Sequence, residues 1–107
     1  MAAVVSSALA APSHAPSTIL GNGAYSCGTW TADRRDGGEV WDTDRSWLAG
    51  YLSGYSVFGG SITNVIEGLD RDARAQWVDN YCDAHPLDPI YTAADALIAE
   101  LRRRGGR

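Results

Sequence analysis

The sequence contains no lysine: its nine basic residues are all arginine, and with 13 acidic residues they leave a net charge of −4. No segment carries the basic stripe that a phosphate backbone requires, so we expect no nucleic-acid partner. The chain also lacks a run of about 20 apolar residues, the length of a transmembrane helix, so we expect no stable membrane insertion. Its 107 residues suffice for one domain with a single modest core.

Charged side chains are also missing from the first 20 residues, which contain no Asp, Glu, Arg or Lys. Within a short apolar run, Ala8-Leu9-Ala10 matches the small-x-small pattern of a signal peptidase site. We therefore predict that residues 1–20 are a residual signal peptide or disordered leader of a periplasmic or secreted protein. A complete signal also has a positively charged start, so the start codon is expected farther upstream. The alternative is a disordered Ala/Ser/Pro tail on a cytosolic protein.

The chain has only two cysteines, Cys27 and Cys82. In an oxidising compartment they predict one disulfide, which would tie the start of the chain to its helical core. The alternative is a metal site built from Cys27, Cys82 and His85. Because structural zinc needs four closely spaced ligands and the only other histidine, His14, lies in the leader, we predict no metal and no cofactor.

Turn-forming residues dominate residues 21–38, which are rich in Gly, Thr, Ser and Asp and predict an irregular lead-in with at most a short hairpin. A helix is predicted from about Asp42, because Asp42, Thr43 and Asp44 are N-cap residues ahead of apolar side chains at helical spacing. Those side chains are Trp47, Leu48, Tyr51, Leu52 and Tyr55. Gly59-Gly60 is predicted to end this helix.

Two further helices are predicted in the second half of the chain, after residues 61–68, which fit a short helical turn or a buried extended segment equally well. One runs from Asp70 to His85, where Pro86 stops it. Its predicted buried face consists of Ala73, Trp77, Tyr81 and Ala84. The other begins at Asp88, an N-cap followed by Pro89 at the first helical position. Its apolar stripe consists of Ile90, Ala94, Leu97 and Leu101.

These patterns predict an all-α fold, a small bundle of three to four helices with an irregular N-terminal segment tied on by a disulfide from Cys27 to Cys82. We assign residues 21–104 to a single helical domain and residues 105–107 to a disordered tail.

The first predicted helix also carries a row of small residues four apart, Ser46, Gly50 and Gly54. Such a row lets another backbone approach closely, and in membranes it is typical of helix dimers. In this chain we expect the N-terminal segment or a neighbouring helix to lie across the row within the monomer.

Catalytic signals are weak. His85 is the only histidine outside the leader, and Asp83 and Asp88 could orient it as a general base. However, the chain has no Gly-x-Ser-x-Gly elbow, and Cys82 is predicted to be bridged. A histidine just before a proline more often hydrogen-bonds the turn. The glutamates are too scattered to predict a paired-carboxylate hydrolase, so we predict no catalytic residues.

Four tryptophans and five tyrosines exceed what a small core needs, and such residues dominate interface hot spots. Helical spacing places Trp47, Trp77 and Tyr81 in the core, which leaves Trp41 and Tyr55 as candidates for an exposed partner contact. Two arginines, Arg34 and Arg35, are further candidates. They lie in a run predicted to be a solvated loop, or alternatively a protruding element inserted into a target.

Several of these segments resemble a known group of small secreted proteobacterial proteins. The matching stretches are Trp47-Leu48-Ala49-Gly50-Tyr51-Leu52-Ser53-Gly54, Trp77-Val78-Asp79-Asn80-Tyr81-Cys82-Asp83-Ala84-His85-Pro86 and Ala93-Ala94-Asp95-Ala96-Leu97. Over residues 25–103 the chain is similar to the HdeA/HdeB acid-stress chaperones and to the Tai-type immunity proteins that neutralise type VI secretion amidase effectors.

The resemblance implies an all-α fold with one disulfide matching Cys27 to Cys82, frequent homodimers, and action by binding without catalysis. The expected function is therefore that of a non-enzymatic periplasmic protein-binding module, an immunity or inhibitor protein whose partner is an effector hydrolase. An acid-activated chaperone that binds unfolded clients is the alternative, although the absence of lysine and the aromatic, Gly-rich first helix depart from that family. A small hydrolase using His85 is third.

Overall fold

The fold is that of a computed structural model, which describes residues 17–59 and 62–105. After a 3₁₀ turn, Gly21–Ala24, the helices are α1 (Cys27–Asp36), α2 (Gly38–Gly59), α3 (Thr63–Ile66), α4 (Arg71–Ala84) and α5 (Ile90–Gly105). Four longer helices and one single-turn helix confirm the predicted all-α bundle. Residues 1–16 of the predicted leader and 106–107 of the predicted tail lie outside the described residues, while Gly105 ends α5.

Helix α1 replaces most of the irregular segment predicted for residues 21–38, and that part of the prediction was wrong. The Ser26 side chain caps the helix by accepting a hydrogen bond from the Thr29 backbone N–H at 3.1 Å. The Gly37 N–H, which donates to the Asp33 carbonyl at 2.8 Å, closes the other end. Because Cys27 is fully buried on this helix, tertiary packing offsets the low helix propensity of its Gly, Thr and Asp residues.

Helix α2 begins at Gly38, four residues before the predicted start at Asp42. Gly37 and Gly38 both adopt positive φ angles, 74° and 75°, in the left-handed region that glycine occupies without steric strain. Two consecutive glycines therefore make a tight turn from α1 into α2. Asp44, predicted as an N-cap, instead lies inside the helix with its side chain buried. The predicted end at Gly59 is confirmed.

Helix α4 keeps its predicted ends but turns a different face to the core. Asp70 caps α4 by accepting from the Ala73 N–H at 2.8 Å, and residues 63–66 form the short helical alternative. The fully buried residues of α4 are Ala75, Val78 and Cys82. Of the predicted face, Trp77 and Tyr81 are half-buried and pack against the core, whereas Ala73 and Ala84 are exposed. The reason is that the disulfide pulls Cys82 inward, and residues four and seven positions earlier follow it.

Helix α5 begins at Ile90, so the predicted start with Asp88 as N-cap and Pro89 as first helical residue was wrong. The Asp88 side chain accepts a hydrogen bond from the Tyr81 hydroxyl instead.

The core lies where α5 packs on the other elements. The buried residues of α5 are Ile90, Ala93, Ala94, Leu97, Ile98 and Leu101, which include the whole predicted stripe. Each fully buried Leu or Ile contributes about 1.5 to 3 kcal/mol of transfer free energy. The described helices include none with the length and hydropathy that crossing a membrane requires.

The predicted disulfide between Cys27 and Cys82 is confirmed, with 4.9 Å between the two Cα atoms. Since both thiols are consumed, the alternative metal site with His85 is ruled out. Backbone hydrogen bonds reinforce the link: the Cys27 N–H donates to the Asp88 carbonyl at 2.7 Å, and the Ile90 N–H donates to the Tyr25 carbonyl at 2.7 Å. The start of α1 is thereby fixed to the joint between α4 and α5.

Candidate functional site

Trp41, predicted to be an exposed partner contact, is only 8% exposed, so the prediction of its exposure was wrong. Its ring packs edge-on against Trp30, with 4.8 Å between the ring centroids. The guanidinium carbons of Arg34 and Arg45 lie 4.8 and 5.3 Å from its ring centroid. Trp41 is buried because α2 begins earlier than predicted, which places this residue in its first turns, beneath α1.

Arg34 is likewise in a helix and not in the predicted loop. Its Nε lies 3.0 Å from Asp79 Oδ2, while Asp79 Oδ1 accepts a hydrogen bond from Trp30 Nε1 at 2.8 Å. One carboxylate of α4 therefore holds both a tryptophan and an arginine of α1. Arg35, the next candidate, is 71% exposed and lies 3.7 Å from Asp36 on the same helix. The two predicted binding arginines thus differ: Arg34 joins helices, and Arg35 faces solvent.

His85 occupies the C-cap of α4, where its Nδ1 lies 3.0 Å from the Tyr81 carbonyl and its ring stacks on the Tyr81 ring at 4.2 Å. Asp88, proposed to orient it, accepts a hydrogen bond from the Tyr81 hydroxyl at 2.6 Å instead. That bond is the main reason the pKa of Tyr81 is raised. His85 therefore has the geometry expected of a histidine that hydrogen-bonds its own turn.

The row of small residues on α2 is not covered as predicted. A Cβ atom added at Gly50 or at Gly54 would meet nothing within 4 Å. Together with Tyr51 and Tyr55, these glycines line a shallow depression of about 360 Å³. The expectation that the N-terminal segment or another helix lies across the row was therefore wrong for both glycines, because the 3₁₀ turn packs one helical turn earlier, against Trp47.

The walls of the depression are held by contacts on either side. The Tyr51 hydroxyl donates to Asp95 Oδ1 of α5 at 2.7 Å, and burial and this hydrogen bond raise the pKa of Tyr51 above its usual value. Trp47 Nε1 donates to the Leu20 carbonyl at 2.9 Å, and its ring stacks on Tyr51 at 4.8 Å. Tyr55, the other predicted contact residue, is half-buried and lines the depression.

Two large apolar side chains lie beyond the depression at the end of α2. Val57 is 72% exposed and Phe58 is 91% exposed. Phe58 continues the row of Gly50 and Gly54 at the same four-residue spacing. Sequence analysis did not select either residue, although the signal was available: no Asp, Glu, Lys or Arg occurs between Arg45 and Glu67. We call the surface of Gly50, Tyr51, Gly54, Tyr55, Val57 and Phe58 the α2 surface.

The chemistry that the α2 surface offers is apolar and aromatic contact with a closely approaching backbone. Its polar atoms are tyrosine hydroxyls and backbone groups, and it carries no side chain that is charged at neutral pH. Elsewhere in residues 17–59 and 62–105, no cluster of three His, Cys, Asp or Glu side chains could hold a metal ion.

Asp44 was missed as a notable residue because it was assigned to a helix cap. Its side chain is 1% exposed, and Asp44 is the only charged residue among the described residues that are buried. Asn22 Nδ2 donates to its Oδ1 at 2.7 Å. The sequence carries a signal for this burial, since Trp41, Asp44 and Leu48 recur at spacings of three and four on one helical face.

Comparisons of the chain with protein-family models, with curated proteins and with solved structures found no match.

Proposed function

We propose that this protein is a non-enzymatic protein-binding module, of the immunity or inhibitor kind, that engages its partner through the α2 surface. The observation that carries the proposal is the open glycine row. Each glycine inside a helix is about 1 kcal/mol less favourable than alanine. Gly50 and Gly54 have open space where a Cβ would lie, so nothing in the described monomer requires glycine there. Close contact between a partner and the α2 backbone would explain why both positions are glycine.

Exposed apolar area supports the same proposal. Phe58 and Val57 adjoin the glycine row and are 91% and 72% exposed. An aromatic side chain buries roughly 150 to 250 Å² when covered, and aromatic residues are enriched at binding hot spots. Because Tyr51 is fixed to α5 through Asp95, a partner would meet a surface that is already ordered, which lowers the entropic penalty of binding.

The proposed location is the periplasm or the exterior of the cell. The disulfide between Cys27 and Cys82 is typical of oxidising compartments. The uncharged leader with its Ala8-Leu9-Ala10 motif agrees with export. An effector hydrolase that acts in the same compartment is the class of partner that we propose.

Two observations weigh against the alternatives. His85 is oriented toward the Tyr81 carbonyl, and Asp88 is bonded to Tyr81, an arrangement that does not favour a hydrolase. An acid-activated chaperone needs acid to loosen its fold. Burial and the neighbouring Asp33 raise the pKa of Asp44 to about 7, so proton uptake by this group between about pH 7 and pH 4 stabilises the fold.

The test is a cross-linking capture in the native periplasm, at neutral pH and near pH 3, with the bound proteins identified by mass spectrometry. The wild type is compared with Gly50→Leu, which places a large side chain in the row at a position where a Cβ meets nothing within 4 Å in the monomer. Gln76→Leu, at a position on α4 that is also exposed, is the matched control. We expect one stoichiometric partner at neutral pH for the wild type and for Gln76→Leu, and its loss for Gly50→Leu.

Other outcomes decide between the alternatives. Equal capture by all three proteins would contradict the α2 surface as the binding site. Many unrelated clients, bound only near pH 3, would indicate a chaperone. If no protein is captured at either pH, the protein-binding proposal fails as a whole.

A further inference from the structure

Three arginines line one cleft between α2 and α4. The cleft has a volume of about 230 Å³, and its walls are formed by Asp42, Arg45, Ser46, Ala49, Arg71 and Arg74. In a chain whose net charge is −4, three arginines around one cleft concentrate positive charge at a single point. We call this site the arginine cleft. It shares no residue with the α2 surface, so a ligand bound here is independent of the proposed partner contact.

Helical spacing brings the lining residues to the cleft. The members from α2 recur at spacings of three and four and so share one face of that helix: Asp42, Arg45, Ser46 and Ala49. From α4, Arg71 and Arg74 lie one helical turn apart, which places them on the same side of their helix. Arg71 is also the first residue of α4, where the positive end of the helix dipole adds to its charge.

Two of the arginines are held in place by contacts within the protein. Arg45 Nη2 donates a hydrogen bond to Asp42 Oδ1, and its guanidinium carbon lies 5.3 Å from the centroid of the Trp41 ring. Arg74 Nη1 donates to the Leu69 carbonyl at 2.7 Å. Because these two cations are ordered before any ligand arrives, the entropic penalty of binding is reduced.

The cleft has hydrogen-bond donors that the protein itself does not use. Arg45 Nε is buried and has no acceptor among the described residues. Within the same part of the chain, Arg71 forms no ion pair or hydrogen bond, and the Ser46 hydroxyl has no partner. A guanidinium carries several N–H donors and no acceptor. An acceptor from outside the protein would therefore find free donors on both helices.

The nearby carboxylates do not neutralise this charge. Among the described residues, Asp42 is the only carboxylate that lines the cleft, and it is already bonded to Arg45. Asp70 caps α4, Asp72 follows in its first turn, and Glu67 lines the adjoining depression. None of these last three forms an ion pair among the described residues. Three arginines and one aspartate leave the lining of the cleft with two positive charges in excess.

We propose that the arginine cleft binds a phosphate group. A phosphate monoester carries about 1.5 to 2 negative charges near pH 7, which matches the excess charge of the lining, whereas a carboxylate carries only one. The planar guanidinium binds phosphate oxygens through two parallel N–H donors. Since drug-sized ligands occupy pockets of about 300 to 1,000 Å³, a cleft of about 230 Å³ suits free phosphate or the phosphate end of a larger molecule.

The first experiment titrates the intact wild-type protein with inorganic phosphate at constant ionic strength, at about pH 7.5, where phosphate is mainly a dianion. The arginine Cζ signals are followed by ¹³C-detected NMR. We expect the signals of Arg71 and Arg74 to shift along one saturating curve. Arg102, an exposed arginine of α5 that does not line the cleft, should not shift. Linear shifts without saturation, or equal shifts at Arg102, would overturn the proposal.

The second experiment measures phosphate affinity by calorimetry in two variants of equal net charge. Arg71→Gln removes one cation from the cleft, and since Arg71 is exposed and forms no described bond, the variant is expected to fold. We expect its Kd for phosphate to rise about tenfold, the loss of one charge-assisted contact. Arg102→Gln is the matched control and should keep the wild-type Kd. Equal weakening in both variants would show a response to overall charge and would overturn the site.

The third experiment distinguishes the two sources of the phosphate group. Inorganic phosphate and glycerol 3-phosphate are each titrated into the wild-type protein, with acetate as the singly charged comparison. Tighter binding of glycerol 3-phosphate would identify a phosphate carried by a larger molecule, and tighter binding of inorganic phosphate would identify the free ion. Acetate should bind at least about tenfold more weakly than either. Binding of acetate as tightly as phosphate, or binding of neither phosphate, would overturn the proposal, whatever the capture experiment shows for the α2 surface.

Discussion

The first half of α2, residues 38–48, lies under α1 and the 3₁₀ turn, whereas the second half, residues 49–59, keeps one face open. The covered half buries Trp41, Asp44 and Leu48, while the open half buries only Leu52. Both halves belong to one continuous helix, and each carries aromatic residues. What separates them is the reach of the N-terminal segment, which the disulfide holds over the first half alone. The covered half serves stability, and we propose that the open half serves contact.

The largest effect is expected from Cys82→Ser, which releases α1 and the 3₁₀ turn from the disulfide that holds them over the first half of α2. Closing a loop between residues 55 positions apart stabilises the fold by about 4 kcal/mol on the chain-entropy model. Under oxidising conditions we expect the melting temperature to fall sharply, and amide exchange to rise in α1 more than in residues 49–59. Under reducing conditions the variant and the wild type should melt alike. An equal difference in both conditions would contradict a stabilising disulfide.

A matched pair of glycine substitutions compares the two halves directly. At Gly23, on the covered side, a Cβ would lie 1.9 Å from the Trp47 ring, and overpacking of this kind typically destabilises by about 1 to 3 kcal/mol. At Gly50, on the open side, alanine meets nothing within 4 Å and should stabilise the helix by up to about 1 kcal/mol. Thermal or urea unfolding of Gly23→Ala and Gly50→Ala measures both. Opposite signs support the comparison, and destabilisation by both would show that Gly50 is covered too.

The smallest expected effect tests how firmly the open half is held. Tyr51→Phe removes the hydrogen bond to Asp95, which spans 2.7 Å, and keeps the ring. We expect a loss of about 1 kcal/mol in the free energy of unfolding, measured by urea denaturation. Tyr25→Phe, on a ring that is 54% exposed, is the control and should change stability by less than about 0.5 kcal/mol. A loss in Tyr51→Phe no larger than in the control would mean that this bond does not order the α2 surface.

Local sequence patterns predicted much of the helical scaffold. The cap at Asp70, the stop before Pro86 and the apolar stripe of α5 depend on neighbours a few residues away in the sequence, and all three are confirmed. The candidate site was harder to predict. Trp41 was selected as exposed and is buried, because α2 begins early. Arg34 remains exposed, but it lies on a helix and pairs with Asp79 of α4. Tyr55 lines the depression beside the glycines, and Arg35 faces solvent.

By itself, the sequence determined the helical class, the pairing of its only two cysteines, and the residues that share a face of α2, α4 and α5, because those properties follow from spacing and local chemistry. Only the tertiary structure decided which faces are covered. Contacts such as Cys27 with Cys82 and Trp30 with Asp79 join residues 55 and 49 positions apart. Such long-range contacts convert residues 27–36 into a helix, bury Asp44 and leave Gly50 and Gly54 open, since a periodic pattern specifies a face but not the neighbour that packs on it.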